Sequence, residues 1–238
     1  MRLSEAPLNA PSASPMARTR ASIRRLGAAA SSARIVVLAV VGTAASLVAS
    51  ASAVHAASAR PVNSDVGMYG DPVAAAPYWR QQHTSDCGEM AVADVVGQIT
   101  GDEPAEQRIT ALAESTPSGV RRGPIWNLTA DTDIKDLPVL LAQYRIKADN
   151  IQTSIDELKH DLAERRRIIV IVNAETIWNR PGSRNVANHF VVVTGIDPRA
   201  GVVHLNDSGV LSGRDEQVPI ATFEQAWAPN HNSAIVTR

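Results

Sequence analysis

Cys87 is the only cysteine in 238 residues, and it stands in the run Gln81-Gln82-His83-Thr84-Ser85-Asp86-Cys87-Gly88. A cysteine attacks a carbonyl as its thiolate. That form is favoured by a helix N-terminus, a neighbouring imidazolium and partial exposure. The sequence after Cys87 has apolar residues at helical spacing, so the thiol is placed to open a helix. The alternative for a lone cysteine is a small buried hydrophobe with no chemistry. Attack on a carbonyl also needs donors aimed at the developing oxyanion. The Cys87 backbone N–H is one, and a side-chain amide from Gln81 or Gln82 is the second. Taken alone, both glutamines also fit a solvated loop.

The thiol needs an imidazole from elsewhere. Of six histidines, His55 lies in an Ala/Ser-rich leader, His160 on the polar face of a charged helix and His231 in a C-terminal turn. His83 is near in sequence but sits on the loop before the helix. His204 lies inside an alternating strand, where a solvated face accounts for it. His189 opens the apolar run Phe190-Val191-Val192-Val193, and a polar residue at the mouth of a buried strand points to a site at the sheet edge. The turn Asp197–Gly201 joins this strand to Val202–Asn206. Facing residue numbers then sum to about 397, which brings His189 to the Asp207-Ser208 neighbourhood. A carboxylate or amide there would fix the imidazole tautomer. Alternation lets only one of Asn206 and Asp207 point at the ring. Asp207-Ser208-Gly209 also reads as an ordinary strand-ending turn.

Helices must carry the thiol and a sheet must carry the imidazole. The periodicity predicts helices over Cys87–Ile99, stopped by Gly101, and over Pro104–Glu114. A loop with Trp126 spans 115–131. A short helix follows from Asp136, burying Leu137, Leu140, Leu141 and Tyr144. Ser154-Ile155-Asp156-Glu157 is a capping box opening another helix, which Arg165-Arg166-Arg167 close as cations at its C-terminus. Strands are expected at Ile168–Val172, Phe190–Ile196, Val202–Asn206 and Ser233–Thr237, with a short helix at Thr222–Trp227. Helices first and an antiparallel sheet second make the class α+β.

The composition, 45% hydrophobic with a net charge of -1, suits one globular domain and gives no electrostatic argument for a nucleic-acid partner. One cysteine excludes an intramolecular disulfide and a Cys-rich metal site, and no cofactor is expected. Residues 1–56 read as an N-terminal extension and signal peptide. Arg18, Arg20, Arg24, Arg25 and Arg34 form a basic region, Ile35–Ala49 an apolar one, and small residues follow up to Ala56. Export to a secreted or extracytoplasmic location is the expectation. A retained anchor over Ile35–Val54 is the competing reading and the one route to a membrane. Met16 is an alternative start, since Met16-Ala17-Arg18-Thr19-Arg20 makes a compact basic region. Residues 57–77 are expected as an extended lead-in and 78–238 as the folded domain. The sequence carries no sign of oligomeric state.

Together these residues resemble the papain-like cysteine peptidases, most closely peptidase family thirty-nine, whose double-glycine members trim bacteriocin leaders. The matching pieces run in order: Gln81-x5-Cys87-Gly88, the capped helix at Ser154 leading to Ile168–Val172, His189–Val193-x-Gly195-x-Asp197, Val203-x-Leu205-x-Asp207, and Thr222-Phe223-x-x-Ala226-Trp227. The resemblance implies a papain-like fold with N-terminal helices packed on a C-terminal antiparallel sheet. It implies Cys87 as nucleophile, His189 as general base and acid, Asp207 as orienter and Gln81, by its six-residue offset, in the oxyanion hole. A peptide or protein is the implied substrate. Glu89 departs from the Pro or small residue usual after Cys-Gly, and Ser208 from the Pro that often follows the Asp. Two other functions fit the same residues: a transpeptidase using the same acyl-enzyme, and a secreted binding module that keeps the fold without turnover.

Overall fold

The computed structural model describes residues 67–238; the signal segment, the anchor reading and most of the lead-in lie outside them. Seven strands and seven α-helices follow in chain order. They are β1 (Tyr69–Gly70), α1 (Pro72–Ala75), α2 (Cys87–Thr100), α3 (Glu106–Ser115), α4 (Leu137–Gln143), β2 (Ala148–Gln152), α5 (Ile155–Ala163), β3 (Ile168–Val172), α6 (Ala174–Ile177), β4 (His189–Asp197), β5 (Val202–Asn206), β6 (Glu216–Pro219), α7 (Ile220–Trp227) and β7 (Ser233–Thr237). The class is α+β, as expected. Residues 67–77 differ from an extended lead-in: β1 pairs with the far end of β4, and Asp71 caps α1 by accepting from Ala74 N at 2.9 Å.

All strand pairings are antiparallel, in the order β2-β7-β3-β4-β5-β6, with β1 also on β4. β3 and β4 are apolar on both faces, so both faces are covered. Ile169, Phe190 and Val192 face α2, α3 and α4, whose Val92, Val96, Ile109, Leu137, Leu140 and Leu141 are fully or almost fully buried. Val170, Val191, Val193 and Leu205 face the other way, onto Leu158 of α5 and Phe223 and Trp227 of α7. The later helices therefore pack opposite the N-terminal ones, and the molecule has three layers. β2 and β6 were not legible as strands. The first reads Ala-Asp-Asn-Ile-Gln and the second ends in Pro219, because both lie at edges where polar residues are tolerated.

Each expected helix forms within two residues of its expected ends. Gly101 takes φ 78° and ends α2. Ser154 Oγ accepts from Glu157 N and opens α5. Among the described residues no helix is long and apolar enough to cross a membrane.

The β4–β5 hairpin is tied by Asp197, whose Oδ1 accepts from Arg199 N and Ala200 N. Its register departs from the expected sum. Asp197 pairs with Val202, a sum of 399, and Val192 with Asn206, a sum of 398, with an irregularity between Val193 and Gly195. The extra residue, Thr194, is held by its hydroxyl donating to His204 O. His189 therefore faces the level of residue 209 rather than 208, and Asp207, two positions back and on the same face, reaches it along the strand.

Candidate active site

Cys87 opens α2, so its backbone N–H and its thiol lie at the positive end of a fourteen-residue helix. Gly88 lets that end sit close to β4. A Cβ there would meet Phe190 Cδ2 and Leu137 Cδ2 at 3.3 Å. Phe190 follows His189, so this close approach brings the thiol to the imidazole. The thiol and the imidazole are near enough that Cys87 helps raise the pKa of the ring. The thiol is partly exposed; the His189 ring is 4% exposed.

The second ring nitrogen of His189, Nε2, is 2.7 Å from Asp207 Oδ1. Asp207 has no exposed surface, yet it is well supplied with donors. Gly209 N donates to Oδ1 at 2.7 Å and Trp178 Nε1 to Oδ2 at 2.8 Å. Burial alone would raise its pKa. The bond and charge of His189, helped by Trp178 and Gly209, outweigh burial and hold Asp207 below the ordinary carboxylate range. For His189 burial acts the other way, favouring the neutral ring. The bond to Asp207, with Cys87 beside it, overrides that and lifts the imidazole to about 10. The pair is thus an imidazolium held between a thiol and an anion.

Both readings of Asp207-Ser208-Gly209 hold at once. The carboxylate closes its own turn through Gly209 N and orients His189 through the same oxygen. Asn206 points to the opposite face, where its Nδ2 donates to Asp94 Oδ2 at 2.7 Å and to Ala75 O. Alternation thus leaves Asp207 as the group on the ring.

The stretch before Cys87 is docked onto the residues around Asp207. Trp79 Nε1 donates to Asp207 O at 2.6 Å, Gln82 N to Ser208 O at 2.9 Å, and Ser208 Oγ to Gln82 Oε1 at 2.8 Å. Gln82 also gives its Nε2 to Thr84 O, so its amide is committed. Gln81 makes no side-chain hydrogen bond to another described residue and is partly exposed. Ser208, where proline was the expected neighbour, supplies a hydroxyl that proline could not.

The other departure, Glu89, is buried one turn into α2. Its Oε1 accepts from Thr132 Oγ1 at 2.5 Å, and its Oε2 has no donor. Burial pushes it up to about 7 against the pull of Thr132. Asp86, just before the nucleophile, is also buried. Burial and the Glu106 carboxylate raise it to about 6, and neither of its oxygens has a donor. Trp126 settles as a core residue, 3% exposed, whose Nε1 donates to Ser85 O at 2.8 Å and steadies the same stretch.

The remaining histidines stay out of the cluster. His83 is drawn away by Glu106, with Nδ1 to Oε2 at 2.6 Å. His160 pairs with Glu164. His204 is buried rather than solvated, because Asp215 Oδ1 meets its Nδ1 at 2.7 Å. Among the described residues no three His, Cys, Asp or Glu side chains are grouped to hold a metal ion.

Trp178 was missed from sequence. It ends α6, donates to Asp207 and lies over His189 with ring centroids 5.0 Å apart. The available sign was a tryptophan in the otherwise polar stretch between β3 and β4. Gly209 was the other: a Cβ there would come within 2.7 Å of Trp178 and 2.9 Å of His189 Cε1.

A cysteine, histidine and aspartate joined in this order, with the thiol on a helix start and the imidazole on a sheet, can carry out acyl transfer. Known proteins identify the family and the fold that carry it. An uncharacterized protein of Mycobacterium tuberculosis and one of Mycobacterium bovis are each 43% identical over 213 residues, covering 79% of this chain and 92% of the relative. A crystal structure of a C39-like peptidase from Bacillus anthracis superposes with a TM-score of 0.53 at 21% identity, over 67% of this chain and 93% of that one, and has the same papain-like fold. The model of the Peptidase_C39-like family matches residues 41–235, and the chain belongs to that family.

Proposed function

We propose that this protein is an exported cysteine peptidase or amide hydrolase that cleaves a peptide bond through Cys87, His189 and Asp207. The observation that carries this reading is the unbroken chain of contacts from thiol to imidazole to buried carboxylate. The thiolate attacks the scissile carbonyl, and the Cys87 N–H with the Gln81 amide stabilises the oxyanion. Gln81 takes this role because Gln82 is engaged by Ser208 and Thr84. The imidazolium gives its proton to the leaving amine, leaving an acyl-enzyme and a neutral ring. That ring takes a proton from water as the water attacks the thioester; the acid product leaves and the thiolate returns beside the imidazolium. Asp207 holds the ring in place and stabilises its charged form. Peptide is the substrate class that family membership supports. Export rests on the order of basic, apolar and small residues before Ala56.

The test is alkylation of Cys87 by iodoacetamide across pH, alongside hydrolysis of a peptide library. Rapid alkylation at pH 6, lost on His189→Ala, is expected, with hydrolysis abolished by Cys87→Ala. Alkylation indifferent to His189→Ala would sink the reading and favour a binding module. Mass spectrometry of the exported N-terminus tests the leader; a peptide spanning Arg34–Val54 in exported protein would overturn cleavage.

A further inference from the structure

Behind the candidate triad stands a second carboxyl group that the chemistry described so far leaves unused. Glu216 opens β6 and pairs with Leu205 on β5. Facing residues of an antiparallel pair share a face, and so do residues two apart on one strand. Leu205, Asp207 and Glu216 therefore lie on the same side of the sheet. The Glu216 carboxyl comes within hydrogen-bonding reach of Asp207, and its Oε2 is buried with no donor aimed at it. Two carboxylates in buried contact cannot both be ionised without strong repulsion, so one proton belongs between them. Asp207 already accepts from His189, Gly209 and Trp178, whereas Glu216 has no such donors. The proton therefore resides on Glu216, which donates it toward Asp207.

We propose that Glu216 is a positioning residue that shares a proton with Asp207 and so extends the Cys87–His189–Asp207 chain by one member. The inference rests on the reading of His189 as an imidazolium beside Cys87. Protonated, Glu216 adds a fourth hydrogen bond to Asp207 and spreads its charge, which keeps the aspartate a weak base toward the ring. Ionised, it places a second negative charge behind Asp207, and the imidazolium is held more tightly. A ring that gives up its proton less readily serves more poorly as the base that activates water on the acyl-enzyme. Burial, then the charge of Asp207, raises Glu216 to about 7, so the changeover falls near neutrality. The groups facing Glu216 are Asp207 and, beyond it, His189. The His204–Asp215 pair lies on the opposite face of β5, and Arg214 is stacked over the Trp79 ring.

The test follows the His189 ring by 15N NMR in the resting protein across pH, in wild type and in Glu216→Gln. Glutamine keeps the shape and a donor but carries no charge. The loss of the imidazolium proton is expected at least half a pH unit lower in Glu216→Gln than in wild type. Identical ring titrations would overturn the proposal. A second measurement needs no variant: the Glu216 side-chain carboxyl, followed by 13C NMR in the wild type, should titrate near neutrality. Titration in the free-glutamate range, about 4.3, would equally overturn it. The two readings fail separately. If His189→Ala leaves Cys87 alkylation unchanged, the peptidase reading falls. If alkylation needs His189 but the ring ignores Glu216, only the present inference falls.

Discussion

Two ends of this site bury acidic side chains, and the protein treats them in opposite ways. At the sheet end, Asp207 receives donors from His189, Trp178 and Gly209 and stays ionised with no exposed surface. At the helix start, Asp86 and Glu89 are as deeply buried, but three of their four carboxyl oxygens have no donor. Those two acids are pushed up toward neutrality, to about 6 and about 7. Burial raises all three; what separates Asp207 is the bond and charge of His189, backed by Trp178 and Gly209, which Asp86 and Glu89 lack. A negative charge is kept where it holds an imidazolium. It is weakened beside Cys87, where it would oppose the thiolate and oxyanion of the proposed reaction.

The largest expected effect comes from removing the charge at the sheet end. Asp207→Ala should lower peptide turnover roughly 10⁴-fold, by analogy with other triads that lose their acid. Steady-state kinetics on a cleaved library peptide checks this. A loss under tenfold would erase the distinction between the two ends.

The next effect tests the helix start. Glu89 has a folded pKa raised above its unfolded value. Its contribution to stability is therefore complete below about 4.3 and is lost as pH rises through about 7. Relative to Glu89→Gln, the wild type should lose about 3 kcal/mol of unfolding free energy between pH 4.5 and pH 8. Urea denaturation at the two pH values measures it. Asp207 has the opposite sign: its folded pKa is depressed, so its contribution is lost on acidification. A wild type that gains nothing relative to Glu89→Gln on acidification would break the comparison.

Smaller effects sharpen it. Trp178→Phe keeps the ring over His189 but deletes one donor to Asp207. A hydrogen bond to a charged group contributes about 1.5–3 kcal/mol, so turnover should fall roughly tenfold or more. Ser208→Ala removes a neutral contact to Gln82 and should cost only about 1 kcal/mol of stability, read as a small drop in Tm.

The sequence was most legible where local rules act alone. Cys87 at a helix start, Gly101 at its end and the Ser154 cap each follow from one residue type at one position, and each stands where expected. Strands β3 and β4 were readable because both faces are apolar. β2 and β6 were not, since an edge strand needs no hydrophobic pattern. The bulge at Thr194 shifted the hairpin by a residue, and no periodicity marks an inserted residue that keeps its strand. His189 and Asp207 were reachable through hairpin arithmetic. Trp178 and Glu216 were not, because each meets Asp207 across a gap that only the assembled sheet closes.

The order of strands in that sheet sets which parts of it depend on one another. β7, the last of the seven strands in chain order, fits between β2 and β3 rather than at an edge. Without it β2 has no strand to pair with, whereas β4 already has β3 and β5 as neighbours. Non-local pairing of this kind completes late. Loss of β7 would thus detach β2 and open one flank of β3, while the hairpin that carries His189 and Asp207 keeps its own pairing.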